Sequence, residues 1–335
     1  MVHPELSEGK NVMKRALITG INGQDGSYLA ELLVEKGYEV HGIVKRNSIP
    51  ENQTARIQHV YPKIKDNLYH ADMCDMSSLL SVVQKSKPHE IYNLAAQSHV
   101  RVSFDQPIYT LDTIGSGTLN LLEVIRLTSM NSKIYQASSS EMFGNSIDLD
   151  GFQRETTPMN PVSPYACAKL LAYSLIKCYR ESYGIFGTNG ILFNHESPRR
   201  GGSFVTNKIV MAAVKIKKGQ ATELALGNLD STRDWGHAKD YVKVMWQLLQ
   251  LDKPGDYVCA TGESHSVREF CETTFSKLGL DYRDYVIQDP KFFRPTELRD
   301  LKGTTEKLSA VIDLKFDYTF DTMIDEMIDY WMERL

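Results

Sequence analysis

This chain contains no apolar run approaching the roughly 20 residues that a membrane-spanning helix needs. Its first residues, MVHPELSEGKNV, hold no apolar stretch of the signal-peptide kind. Charge of one sign is not in excess either: 38 Lys and Arg stand against 42 Asp and Glu, for a net charge of -4. That balance gives no electrostatic reason for nucleic acid or an anionic membrane as a partner. Five cysteines (Cys74, Cys167, Cys178, Cys259, Cys271) form no CxxC pair, and nine histidines form no HxxxH or HExxH arrangement. Neither a disulfide framework nor a metal centre is expected, and reduced thiols point to the cytoplasm. Internal repeats and low-complexity tracts are also lacking.

What is there is a chain of 335 residues, longer than one typical core, with 42% hydrophobic and 24% charged residues. Short β-rich runs at 15–19, 38–44, 67–71, 90–96, 133–137 and 188–193 alternate with helical periodicity at 27–36 and 108–127. This βαβα order predicts a doubly wound parallel sheet of the Rossmann type over residues 14–193, after an extension over 1–13. Residues 194–335 are expected to build mainly a smaller α/β substrate lobe, with some segments returning to the main sheet. Helical periods at 207–217 and 321–335 belong there, and the stripe Met323, Ile324, Met327, Ile328 and Trp331 reads as core.

Ligands of such sheets bind beyond the carboxyl ends of the strands. Gly20-Ile-Asn-Gly23-Gln-Asp-Gly26 follows the first strand and opens the first helix. Glycines there permit a tight turn and a close approach of backbone to a pyrophosphate at the helix N-terminus, although GxxGxxG is one residue longer than the usual fingerprint. NAD sites place a carboxylate at the end of the second strand, where this chain has Lys45, Arg46, Asn47 and Ser48. A 2′-phosphate suits that basic segment, so NADP is the expected cofactor. Asp72 is placed either to bind the adenine amino group or to cap the next helix.

Ser163-Pro164 fits a helix N-cap and first position, and it sets Tyr165 and Lys169 four residues apart on one face. A lysine ammonium, with the positive nicotinamide ring, would lower a phenol from its ordinary pKa of about 10 and let it act as a base. Ser138, Ser139 and Ser140 follow the fifth strand toward the same cleft, and Ser139 is the favoured partner of the sugar oxygen. Packing or capping accounts equally for the other two. Glu141, 24 residues before Tyr165, is either an exposed loop charge or a second proton-transfer group that a simple carbinol oxidation does not need.

With these residues assembled, the chain resembles the extended short-chain dehydrogenase/reductases that act on nucleotide sugars, and most closely the GDP-mannose 4,6-dehydratase family. The segments ALITGINGQDGSYLAELL, NLAAQSHV, ETTPMNPVSPYACAKL, NGILFNHESPRRG, LGNLDSTRDWGHAKDYV and FFRPTE carry the likeness. Three departures accompany it: Ser139 stands where the family usually has Thr, the loop 145–152 carries a two-residue insertion, and 282–289 look short. The resemblance extends the cofactor set to Asn22, Gln24, Asp25, Met73, Leu94, Ala95, Ala96, Ser98, His195 and Arg200. For the GDP-sugar it implies Ser98, Ser140, Asn194, Arg199, Val205, Lys208, Gly227, Arg233, Arg294 and Glu297 beside the catalytic residues. Any one of the basic residues could instead form a structural ion pair. Trp235 and His237 are expected at the lobe hinge, away from substrate.

The family chemistry is conversion of GDP-mannose to GDP-4-keto-6-deoxymannose and water, an early step toward GDP-fucose or other GDP-deoxyhexoses. Helices 108–127 and 164–183 match those of a dimer bundle, and the loop from Arg46 to Arg56 matches one that builds tetramers and contacts cofactor across subunits. A nucleotide-sugar epimerase or reductase of the same fold is the rival reading, and a cofactor-sensing regulator is a third. Glu141 argues against the second, and Tyr165 with Lys169 against the third.

Overall fold

The computed structural model describes residues 13–46, 54–293, 296, 298 and 300–335. Asn47, Ser48, Arg294, Glu297 and the extension over residues 1–12 lie outside them. The main sheet has seven parallel strands: β1 (Arg15–Thr19), β2 (Glu39–Val44), β3 (Leu68–His70), β4 (Glu90–Asn93), β5 (Lys133–Ser139), β6 (Gly187–Leu192) and β7 (Asp256–Cys259). Their order is β7-β6-β5-β4-β1-β2-β3. The strands are apolar on both faces because both are covered. Ala16 and Ile18 point to one side, where α1 (Gln24–Glu35) contributes Leu29 and Leu33. Leu17 and Ile91 point to the other, against Val82 and Val83 of α2 (Met76–Ser86) and Leu121 and Leu122 of α3 (Gly117–Leu127). Ile176 of α4 (Pro164–Tyr183) completes that second layer.

Leaving β6, the chain builds a second core. The strand Asn194–Glu196 pairs in parallel with Trp235–His237. Helices α5 (Val205–Lys217), α7 (Val267–Lys277) and α8 (Phe320–Arg334) enclose Ile209, Val214, Phe270, Phe275, Met323, Ile324, Met327 and Ile328. Between them, α6 (Ala238–Gln250) and β7 return to the main sheet, with Met245 and Leu248 packed beside α1. Among the described residues no helix is long and apolar enough to cross a membrane.

Element limits differ from the sequence reading in two places that matter for the site. The helix expected over 108–127 is interrupted: Pro107–Leu111, then a π turn over Asp112–Ser116, then α3. Glycines explain the break, since a Cβ on Gly115 would lie 2.7 Å from Leu171 and one on Gly117 2.7 Å from Met73. Helix α4 and the loop after β3 therefore approach the helix axis at this break. The first helix starts at Gln24, three residues earlier than expected, so Gly26 lies inside it.

The strand order reverses between β4 and β1. That reversal opens a crevice past the strand ends, with the Gly20–Gly26 turn on one side and the residues after β4 on the other.

Candidate active site

The glycine turn is shaped by contact, not by sequence alone. Gly20 has φ +69°, and a Cβ there would sit 3.0 Å from Ala95 Cα. A Cβ on Gly26 would be 2.4 Å from the Gly20 carbonyl, so only glycine lets α1 cross the turn this closely. Gly23 is the N-cap and supplies no side-chain cap, leaving first-turn amides available to an anion. Opposite, Leu94 N and Ala95 N both donate to Thr19 Oγ1 at 3.0 Å, pinning the β4 loop to the end of β1. The cavity between them is about 280 Å³. Gly20, Asn22, Gly23, Gln24, Asp25 and Gly26 line one wall, and Met73, Leu94, Ala95, Ala96 and Ser98 another. These features fit a dinucleotide: a Cβ-free cradle, free helix amides and a slot at the switch point.

Asp72 lines the same cavity, pairs with Lys45 Nζ at 2.8 Å and accepts Cys74 N at 3.0 Å. The cap of α2 is Asp75, which accepts Ser77 N, so Asp72 is left to the cavity rim. Burial raises the Asp72 carboxyl, and the Cys74 amide and Lys45 more than offset this, holding it below its ordinary range. Arg46 is exposed at the end of β2.

Beyond Ala96 the crevice deepens into a second cavity of about 160 Å³, lined by Ser98, Ser139, Ser140, Glu141, Tyr165 and Lys169 among others. Ser163 caps α4 by accepting Ala166 N at 3.1 Å, and Pro164 fills the first helical position. That start turns Tyr165 inward, and the next turn carries Lys169 to the same side, where Nζ donates to Ala137 O at 2.6 Å. Its ammonium lies 5.7 Å from the Tyr165 ring centroid. Ser139 ends β5 and caps the tight turn Ser140–Phe143, accepting Glu141 N at 3.2 Å. Ser139 and Tyr165 also share a hydrogen bond. All four side chains are buried.

Burial dominates the electrostatics of this pocket. It pushes the Tyr165 phenol up to about 12, the Ser139 hydrogen bond pulling down and the Glu141 carboxylate pushing further up. It drops Lys169 to about 8, against the pull of Asp25. The phenol thus stays above its ordinary value, because desolvation outweighs the Ser139 hydrogen bond and the Arg200 charge that pull it down, and Lys169 is not what poises it.

His195 and Asp25 close the wall shared by the two cavities, with Nε2 and Oδ2 2.8 Å apart. Gln24 Nε2 donates to Asp25 Oδ1 and to the His195 carbonyl. Arg200 reaches both cavities from an ion pair with buried Glu196 at 3.0 Å.

A third cavity, about 150 Å³, lies in the second lobe and is lined by Asn194, Val205, Gly227, Arg233 and Trp235. Trp235, expected away from substrate, is on its wall. Lys208 stands beside it, over the Phe292 ring at 3.7 Å, with Nζ donating to Ala225 O. Arg199 is not brought to this group. Its guanidinium bonds Ser27 at 3.0 Å and Glu31 at 2.7 Å, on the far side of α1. There it lines a wide cavity of about 1000 Å³ between α1 and α8, which holds none of the hydroxyl and carboxylate groups after β5. We place the chemistry in the smaller cavities for that reason. His99 and Phe204, with ring centroids 5.1 Å apart, line the catalytic cavity and were missed. His99 stood within the quoted NLAAQSHV segment, whereas nothing in the sequence marked Phe204.

The profile of the family described as GDP-mannose 4,6 dehydratase matches residues 17–327. GDP-mannose 4,6 dehydratase 2 of Arabidopsis thaliana is 50% identical over 330 residues, covering 96% of this chain and 87% of the relative. GDP-mannose 4,6 dehydratase of Homo sapiens is 48% identical, covering 95% and 90%. Among solved structures, UDP-glucose 4-epimerase of Thermotoga maritima with UDP-glucose superposes with a TM-score of 0.83 at 20% identity, covering 95% of this chain and 99% of that one. RMD from Pseudomonas aeruginosa complexed with NADPH gives 0.80 at 23%, covering 96% and 100%. These structural likenesses carry the fold alone, and the sequence relatives carry more. The chain belongs to the GDP-mannose 4,6-dehydratase family.

Proposed function

We propose that this enzyme converts GDP-mannose to GDP-4-keto-6-deoxymannose and water. The observation that carries it is Glu141, buried at the end of β5 in one cavity with Ser139, Tyr165 and Lys169. Bound beside them, a nicotinamide dinucleotide supplies the acceptor for hydride from C4 and its return to C6. Tyr165 accepts the proton of the C4 hydroxyl while Ser139 holds that oxygen. The C4 ketone acidifies C5, and Glu141 removes the C5 proton and delivers one to the departing C6 hydroxyl. The proton that Tyr165 took from O4 balances the one returned at C5. Lys169 orients the site from the Ala137 carbonyl.

NADP is the preferred dinucleotide, supported by Lys45 and Arg46 at the end of β2, where a carboxylate would select against a 2′-phosphate. Residues 14–193 serve the cofactor and most of 194–335 the GDP-sugar, supported by the third cavity with Asn194, Val205, Gly227 and Arg233. A homodimer or homotetramer is supported by Ile108, Leu127, Leu171 and Tyr183, apolar side chains exposed on the paired helices. Five free thiols support the cytoplasm. Purified protein given GDP-mannose should yield a 4-keto sugar, read by its alkaline absorbance. Silence with GDP-mannose but epimerised UDP-glucose would replace the reading by an isomerase.

A further inference from the structure

Asp25 is an awkward residue for its place. It lies in the first turn of the helix whose free amides face the dinucleotide slot, where a bare carboxylate would repel a pyrophosphate. The structure compensates it from the adjoining strand Asn194–Glu196. Both ring nitrogens of His195 face acceptors at 2.8 Å: Nδ1 the Phe193 carbonyl and Nε2 the Asp25 carboxylate. A neutral imidazole has one donor, so the ring satisfies both only as imidazolium. Gln24 Nε2, at 3.0 Å, donates to the other carboxylate oxygen, and its Oε1 accepts Ser197. Arg200, the more distant Lys169 ammonium and Tyr165 phenol across the catalytic cavity, and the Tyr241 ring, stacked on His195 at 4.6 Å, also face the pair. Asp25 is held below and His195 above their ordinary values, each through the other and against burial.

We propose that His195 acts as a buried counter-cation for Asp25, cancelling that carboxylate so that the α1 terminus stays attractive to the dinucleotide's phosphates. The inference rests on the cofactor reading above. It makes His195 a positioning residue acting through Asp25, whatever else its ring touches. It also accounts for a carboxylate being tolerated in an anion-binding turn.

The test is a two-residue cycle read by direct titration of NADPH into the purified full-length protein, with intrinsic fluorescence or calorimetry as the signal. H195Q leaves Asp25 uncompensated and should weaken binding roughly tenfold or more. Adding D25N should bring the double variant back to within roughly threefold of the unaltered protein. A double variant as weak as H195Q overturns the proposal, because the loss would then belong to contacts of the imidazole itself. Unchanged binding in H195Q overturns it as well. Should H195Q not fold, D25N alone decides. Affinity equal to or above the unaltered protein supports the proposal, and a clear loss refutes it. Failure of the unaltered protein to bind any nicotinamide dinucleotide would instead defeat the cofactor reading.

Discussion

Lys169 offers a perturbation whose size can be worked from the structure. Burial takes its ammonium from an ordinary 10.5 to about 8, so holding it charged in the fold costs stability. A gap of that size corresponds to about 3 kcal/mol at neutral pH. Lys169→Met keeps an unbranched side chain of similar length in the same buried slot and removes the charge. It also deletes the bond from Nζ to Ala137 O, which returns about 1 kcal/mol of cost. The variant should therefore be more stable than the parent by about 2 kcal/mol, a rise in melting temperature of about 3 °C for a chain of this size, while turnover is lost. The pH dependence has a definite sign. Between about 8 and 10.5 the unfolded chain binds more protons at this lysine than the folded one, so the parent gains stability as pH rises through that window. The advantage of the variant is then largest below pH 8, gone at about pH 10, and reversed above it, where only the lost bond remains. Thermal or urea denaturation of cofactor-free protein, followed by circular dichroism across that range, reads both. A variant less stable than the parent at neutral pH, or a difference flat across the window, refutes the argument.

Other expectations follow from single contacts. Glu141→Gln should still accumulate reduced nicotinamide in a single turnover with GDP-mannose yet release no 4-keto-6-deoxy product; normal release removes Glu141 from the elimination. Gly26→Ala must push against the Gly20 carbonyl and Ile21 Cα. It should lose about 1–3 kcal/mol of stability and most dinucleotide affinity, measured by denaturation and NADPH titration. Arg46→Asp should shift preference from NADP toward NAD, and an unchanged ratio of dissociation constants would move 2′-phosphate recognition elsewhere.

The sheet was legible because its strands must be apolar on both faces and are punctuated by glycines and helix caps. Ser163-Pro164 announces α4, and the Gly20–Gly26 turn announces the first strand-to-helix junction. The catalytic quartet was legible for the same local reason: Tyr165 and Lys169 share one helix face, and Ser139 and Glu141 share one strand end. Long-range pairings were not. Nothing near Arg199 in sequence shows that Glu31, 168 residues away, would claim its guanidinium. The π turn over Asp112–Ser116 is equally silent, since it answers to Leu171 and Met73 across the interface and not to its own periodicity. Phe204 reaches the cavity by way of a loop whose path depends on Glu196, Arg200 and Asn207.

Ser139 ties the two halves of the reaction together, and its replacement can show whether that tie matters. One hydroxyl bonds Tyr165 and also accepts the Glu141 amide at 3.2 Å, so the proton acceptor of the oxidation and the carboxylate of the elimination hang on a single side chain. The backbone at Ser139 is extended, φ -147° and ψ 142°, a conformation that β-branched residues favour. Ser139→Thr keeps the hydroxyl and should retain activity within roughly threefold. Ser139→Ala removes the one bond that pulls the phenol down from burial's upward push. Its tyrosine should titrate higher, so the alkaline rise of the rate should move to higher pH. Turnover at neutral pH should fall about 10²–10³-fold, in line with the loss of a positioned proton-transfer partner. The pH profiles of kcat for the three proteins separate this from a simple packing defect, which would lower the whole curve without moving its midpoint. An Ala variant with an unshifted midpoint would show that Tyr165 is poised by something other than Ser139.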